Sequence, residues 1–420
     1  MPGTNEELSE PGATLLESLP APPDDGFNPF DPAFLADPYP EYARLRDTYP
    51  VYTTPLGFTV LFRHDDVVDF LRDPALSVEE RHQRPTPVTQ MIEALVGERA
   101  EIGNKSMLNR DAPDHTRLRR LVSQAFTPKT IESLTPRIRS FVDRALEPLS
   151  SGDEIDLIST LAFPVPFEVI CEMLGMPPTD RDDVRAWSHL MVRSLEPLVD
   201  PELIVAIADA GDQMRALLAD VIAWKRQYPA PDMLSAMIAA EEQGDVLTDE
   251  ELLEQLMLLF IAGHETTVNL IGNGVRALLR NPESIPRFAN DPVNAVEELL
   301  RFDSPVQMSR RITLREVEVR GQTIEQGQFV VLVLASANRD AAFWGGDAER
   351  LDLARAMAPQ NLSFGGGHHY CLGAALARLE GRIAIGSLLE RFPNTELAGE
   401  PQVNGRINLR GYERLPVRLS

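Results

Sequence analysis

Only two of the 420 residues are cysteines, Cys171 and Cys371. Two thiols cannot staple a chain this long, so a disulfide-built fold is excluded and a reducing, cytoplasmic setting is expected. Long apolar runs are missing too. No stretch reaches the roughly 20 residues of a membrane-spanning helix without charges or prolines. The start, Met1-Pro2-Gly3-Thr4-Asn5-Glu6-Glu7, lacks the basic and apolar parts of a targeting segment. No membrane anchor is therefore expected. Positive charge is scarce, with 40 Lys and Arg against 64 Asp and Glu and a formal net charge of −24. Such a chain repels nucleic acid and anionic membrane surfaces. Residues 1–26 are rich in Pro, Gly, Glu and Asp and read as a flexible tail. The length suits two domains, but no long linker divides the remainder of the chain, so residues 27–420 can also form a single large domain. At 43 % hydrophobic content that domain can bury a core large enough to enclose a cofactor.

The residue pattern predicts a mainly α fold with small β-sheets (α+β). Asp37-Pro38-Tyr39-Pro40 signals a helix over Glu41 to Thr48. Val51 to Thr54 and Phe58 to Phe62 read as a hairpin around Pro55-Leu56-Gly57. Helical periodicity dominates residues 114–300. Strand-like runs return at Val317-Glu318-Val319 and Phe329 to Leu334.

Chemistry concentrates around Cys371. The segment Phe364-Gly365-Gly366-Gly367-His368-His369-Tyr370-Cys371-Leu372-Gly373 places three glycines where backbone can approach a flat ligand closely. The run from Leu372 to Glu380 reads as a helix beginning near the thiol, where the dipole and free N–H groups favour thiolate. Two other readings compete: a buried structural cysteine, which suits Cys171 in its apolar surroundings, and a zinc site using His368, His369 and Cys371. Zinc needs three or four ligands at suitable spacing, and neither a second nearby cysteine nor an HExxH helix is present.

A second feature is a long helix. Thr248-Asp249-Glu250-Glu251 is a capping box, and the pattern runs to about Arg280. Leu256 to Gly263 is apolar on every side, so the helix is expected to be buried. Gly263, Thr266 and Thr267 are poor helix formers, which predicts a local loosening. Threonines in mid-helix also commonly bond back to a carbonyl one turn earlier.

The stretch from Phe364 to Gly373 resembles the haem-binding signature of the cytochrome P450 family, and further motifs in matching order extend the resemblance from about Phe27 to the C-terminus. It implies that family's fold, a haem b cofactor, and Cys371 as the axial metal ligand. It places His369 on a haem propionate and Phe364 near the sulfur, with Gly373 among the cofactor-binding residues. Ala262-Gly263-His264-Glu265-Thr266-Thr267 resembles the oxygen-activation motif. Ala262 and Gly263 would then line the haem, Thr266 would stabilise the activated oxygen, and Glu265 would relay protons, two of which productive O–O cleavage requires.

His115 and Arg119 lie four apart, on one helix face, and the resemblance places both, with Arg311, on haem propionates. Glu298 and Arg301 lie three apart on a helix after Asp291-Pro292. The resemblance makes them a buried structural pair joined by Arg355. Arg110, Arg117 and Arg120, with Arg378 and Arg382, stand out in an acidic protein as a docking face for a ferredoxin-type partner.

The resemblance places the substrate pocket on the loop 82–105, the region 186–210, residues 305–308 and the chain near 407–409. Met91, Ile92, Val306, Met308 and Leu409 are the candidate contacts for a hydrophobic small molecule. The implied activity is a haem-thiolate monooxygenase that uses O2, with electrons from NAD(P)H through ferredoxin and its reductase. A peroxide-driven oxygenase and a haem-binding sensor or carrier are the alternatives. Glu265-Thr266 speaks against both.

Overall fold

The computed structural model describes residues 26–54, 57–97, 99, 105–123, 126–176, 181–196, 200–242 and 247–420. The tail 1–25, Pro55-Leu56 of the hairpin turn, Pro177-Pro178, and residues 98 and 100–104 of the pocket loop lie outside them. Helices dominate, with four small sheets among the described residues. The largest sheet has five strands, in the order Val51–Thr53, Thr59–Leu61, Phe329–Val333, Met308–Thr313, Leu76–Ser77. The expected hairpin pairs Tyr52 with Val60. Val60 then pairs in parallel with Val331, and Arg311 faces Val330 across an antiparallel ladder. The helix expected over 41–48 starts two residues earlier, at Tyr39, because Pro38 at its cap and Pro40 in its first turn are preset for helix entry.

The long helix spans Asp249–Arg280, 32 residues. Its capping box is reciprocal: the Glu251 N–H donates to the Thr248 hydroxyl at 3.1 Å, and the Thr248 N–H donates to the Glu251 carboxylate at 2.9 Å. The expected loosening does not occur, and the helix is continuous through Gly263 to Thr267. Two contacts explain this. The Thr266 hydroxyl donates to the Ala262 carbonyl at 3.1 Å, a bond compatible with α geometry. Gly263 lets the helix Pro164–Met173 press close, since a Cβ there would stand 2.8 Å from Ile170. Gly274 does the same against Ile385 of the helix Ala374–Arg391. These glycines serve tight helix packing rather than a break.

The largest apolar cluster surrounds this helix, and the cysteine loop is anchored beside it. Glu298 and Arg301, both fully buried, form a two-pronged ion pair at 2.7 Å on each prong. Arg301 also donates to the carbonyls of Asn338 (2.8 Å), Ala348 (2.7 Å) and Arg350 (2.9 Å). Arg355 completes the group at 3.3 Å from Glu298. Asn338 carries the network onward, accepting from the Leu362 N–H at 2.7 Å and donating to the Ser363 hydroxyl at 3.0 Å. A charge cluster on one helix thereby fixes the chain entering the segment that bears Cys371. One expectation changes: part of the expected loop 82–105 is a helix, Pro87–Val96. The pair Thr86 and Thr89 forms a capping box at its start, with proline at the first position.

Candidate active site

Gly365 and Gly367 adopt φ of +69° and +67°, conformations that L side chains rarely tolerate. A Cβ on Gly367 would strike the Leu71 carbonyl, so that position also demands glycine for space. These turns bring the Cys371 N–H to the Phe364 carbonyl at 3.0 Å. The helix Ala374–Arg391 begins three residues on. Cys371 carries exposed surface although protein surrounds it on nearly every side, so the thiol faces an internal space. Burial raises its pKa, while the Gly373 N–H, Arg119 and Arg378 act in the opposite direction, toward thiolate. Arg378 stacks over the Phe364 ring at 4.4 Å.

Four basic groups converge next to this loop. The rings of His115 and His369 lie 4.3 Å apart. Arg119 donates to the Tyr370 carbonyl at 2.6 Å, and Arg311 donates to the Leu71 carbonyl at 3.0 Å. None of the four is paired with a carboxylate among the described residues, and the buried His115 Nε2 has no hydrogen-bond partner. Burial, then the charges of His115, Arg311 and Arg119, push the His369 imidazole down to about 3. Burial likewise lowers Arg311 to about 10. A knot of basic groups that disfavour one another's charge calls for an anion, and the two propionates of haem b are a suitable one. The donor set thus fits a haem. Zinc fits poorly: among the described residues no three His, Cys, Asp or Glu side chains converge to hold a metal. His368 is exposed, and Arg310 is taken by Glu80 and Asn109, both at 2.8 Å.

On the long helix, Ala262 is exposed and Gly263 and Thr266 are partly so, although the helix is otherwise buried over most of its length. Glu265 and Thr266 are neighbours with separate engagements. Thr266 bonds back to Ala262. Glu265 pairs with Arg406 at 3.2 Å and lies 3.8 Å from His189 and 3.9 Å from His264. Burial pushes the Glu265 carboxyl up, but His264, Arg406 and His189 outweigh it and hold it below the ordinary range. His264 is fully buried, bonded to the Phe260 carbonyl at 2.8 Å and to Ser188 at 3.2 Å. Sequence reasoning missed Arg406, His189 and Ser188, because contacts spanning 76 to 217 residues leave no periodic signal.

Of the proposed pocket residues, the structure brings Val306, Met308 and Leu409 together. Val306 bridges Leu409, and the Met308 N–H donates to Asn408 at 3.1 Å. Met91 and Ile92 lie apart from these, in a small cluster with Val96, Ile204 and Ala208. Within the basic face, Arg117 pairs with Glu251, Arg378 with Glu297, and Arg110 lies 3.8 Å from Glu79. Much of that charge is therefore met within the chain.

Known proteins share this architecture. The Cytochrome P450 family model matches residues 208–290 and 293–404. The chain is 42 % identical to the vitamin D(3) 25-hydroxylase of Pseudonocardia autotrophica over 93 % of its own length and 96 % of that protein. It is 37 % identical to the polyketide biosynthesis cytochrome P450 PksS of Bacillus subtilis, over 94 % and 98 %. The solved structure of P450BioI in complex with acyl carrier protein bearing hexadec-9Z-enoic acid superposes with a TM-score of 0.85 at 35 % identity, covering 92 % of this chain and 100 % of that one. No helix among the described residues is long and apolar enough to cross a membrane. The thiol loop, the basic knot and the kinship agree: the chain belongs to the cytochrome P450 family, as a monooxygenase whose cofactor is haem b.

Proposed function

We propose that this monooxygenase hydroxylates or epoxidises a hydrophobic small molecule, with electrons from NAD(P)H delivered by a ferredoxin and its reductase. The observation that carries the site assignment is Cys371, a thiol enclosed by protein yet bared toward an interior flanked by His115, Arg119, Arg311 and His369. Cys371 would hold the iron, with the Gly373 N–H donating to its sulfur. The four basic groups would take the propionates, and Ala262 and Gly263 would leave room for the flat face. Haem b, when bound, supplies oxygen activation and transfer of one oxygen atom.

The rest falls to the chain. The Thr266 hydroxyl, now on the Ala262 carbonyl, turns by rotation about one bond to serve as a donor above the pocket floor. The Glu265 carboxylate, held among Arg406, His189 and His264, exchanges protons with that region. Val306, Met308 and Leu409 supply apolar wall, with Met91 and Ile92 farther out. The two curated relatives act, by their names, on vitamin D3 and in polyketide biosynthesis, and a fatty acyl chain accompanies the solved one. Each is large and greasy, which supports an apolar substrate here.

The test is a screen of steroids, macrolides and fatty acids for a shift in the iron spin state, followed by product analysis. Product formed with NADPH, ferredoxin and reductase, but not with peroxide alone, supports this reading. Turnover with peroxide alone would favour the peroxide-driven alternative.

A further inference from the structure

The turn Arg406–Leu409 is held from both sides. On one side the Gln307 N–H donates to the Asn408 carbonyl at 2.8 Å, beside the Val306–Leu409 bridge. On the other, one carboxylate does the holding. Glu196 accepts from three consecutive N–H groups: Ile407 at 2.7 Å, Asn408 at 3.0 Å and Leu409 at 3.2 Å. Successive N–H groups aimed at one point form an anion cradle, and bonds to a charged acceptor are roughly twice as strong as neutral ones. Glu196 caps the short helix Val192–Leu195, more than 200 positions away in sequence, as the 211-residue separation from Ile407 shows. Further polar contacts lie alongside, from Asn408 to the Leu195 carbonyl at 3.4 Å and from Arg406 to His189 at 2.8 Å.

Two further observations give this seam a purpose. First, it runs beside the open stretch of the long helix, because Arg406 reaches Glu265, next to Thr266. Second, the helix Pro87–Val96 and the opening turns of the helix Pro201–Gln227 share an apolar cluster built on Val96, Ile204 and Ala208, separate from the main core, which the second helix joins only farther along, from Ala210 to Ile222. They are further tied by Arg99 to Asp209 at 2.7 Å and to Asp212 at 3.2 Å. Pro87–Val96 and those opening turns form a roof that coheres apart from the core. Polar groups that part at a seam regain partners in water, whereas parting an apolar cluster exposes surface with nothing to replace its contacts. The seam is therefore where the roof parts from the wall.

We propose that Glu196 is the latch of this roof, and that a large apolar molecule reaches the distal chamber only when its carboxylate releases residues 407–409. The inference rests on the proposed reading in taking that chamber as the substrate site.

The experiment uses the haem-loaded protein with Glu196→Ala and Glu196→Gln. Hydrogen exchange at 407–409 is expected to rise roughly tenfold in the alanine variant and less in the glutamine variant, which keeps a neutral acceptor. Stopped-flow association of clotrimazole, a bulky apolar azole, is expected to accelerate by about the same factor, while that of imidazole stays within about twofold. Unchanged exchange at 407–409, or unchanged clotrimazole association despite loosened amides, would overturn the latch. If the alanine variant does not fold, the glutamine variant decides by the same two readouts. Failure of every form, wild type included, to bind either azole would contradict the haem reading, and the exchange data would then decide the latch alone.

Discussion

The guanidinium of Arg406 lies 3.2 Å from the Glu265 carboxylate, across 141 residues of sequence. Both side chains are largely buried, at 2 % and 9 % exposure. Burial alone would raise the carboxyl, so its depressed pKa depends on His264, Arg406 and His189. A carboxyl with a lowered folded pKa stabilises the fold above the ordinary carboxylate range, and that stability is lost as pH falls through the folded value. Arg406→Gln is therefore expected to cost about 3–5 kcal/mol at pH 7. The deficit should shrink toward pH 4, as read from urea midpoints at both pH values. The acid limb of turnover should move to higher pH.

Glu298 and Arg301 offer a sharper structural test. Both are fully buried, and Arg301 additionally holds three carbonyls. Glu298→Ala leaves a guanidinium charge buried and reduced to neutral partners, an expected loss of about 3–5 kcal/mol. Because the network continues through Asn338 to Leu362 and Ser363, haem retention should fall with stability. Denaturant midpoints and the haem-to-protein absorbance ratio check both.

Glu380 gives a pH signature of opposite sign. It is buried beside Thr267 on the long helix, and burial raises its pKa to about 8. The Thr267 hydroxyl eases this only in part, since neither carboxyl oxygen has a well-formed hydrogen bond. An acid with a raised folded pKa leaves stability intact below its unfolded value. Stability then declines as pH climbs toward the folded value, by about 1.4 kcal/mol per pH unit. Glu380→Gln should match wild type near pH 4.5, exceed it at pH 8, and lack that slope. A pH series of unfolding midpoints measures the difference.

Arg311→Leu removes one member of the basic knot while keeping apolar bulk. Among the described residues its guanidinium bonds only to backbone carbonyls, those of Arg310 and Leu71. The apoprotein should therefore fold nearly normally. Haem should dissociate more readily by about 1.5–3 kcal/mol, roughly 10- to 150-fold. Haem transfer to excess apomyoglobin follows this directly.

How far these features were legible in the sequence depends on their reach. The capping box Thr248–Glu251 and the pair Glu298–Arg301 are local, three residues apart, and both form as the spacing predicts. Arg355 and the cysteine loop were legible through motif order. The loosening expected at Thr266 failed because propensity yielded to packing: Gly263 is occupied by the approach of Ile170, and the hydroxyl has its own carbonyl. The loop 82–105 hid a helix for a related reason, since a Thr86–Thr89 capping box is a weaker signal than one ending in Glu or Gln. Arg406, His189, Glu196 and Asn338 were invisible. Their partners lie in distant segments that only the tertiary fold brings together.

The most direct measurement is the carbon monoxide difference spectrum of the reduced, haem-reconstituted protein, for wild type, Cys371→Ser and Cys171→Ser. Thiolate ligation by Cys371 requires that wild type and Cys171→Ser share one strongly red-shifted carbonyl band, and that Cys371→Ser lose it. A band unchanged by Cys371→Ser, or abolished by Cys171→Ser alone, would contradict the account.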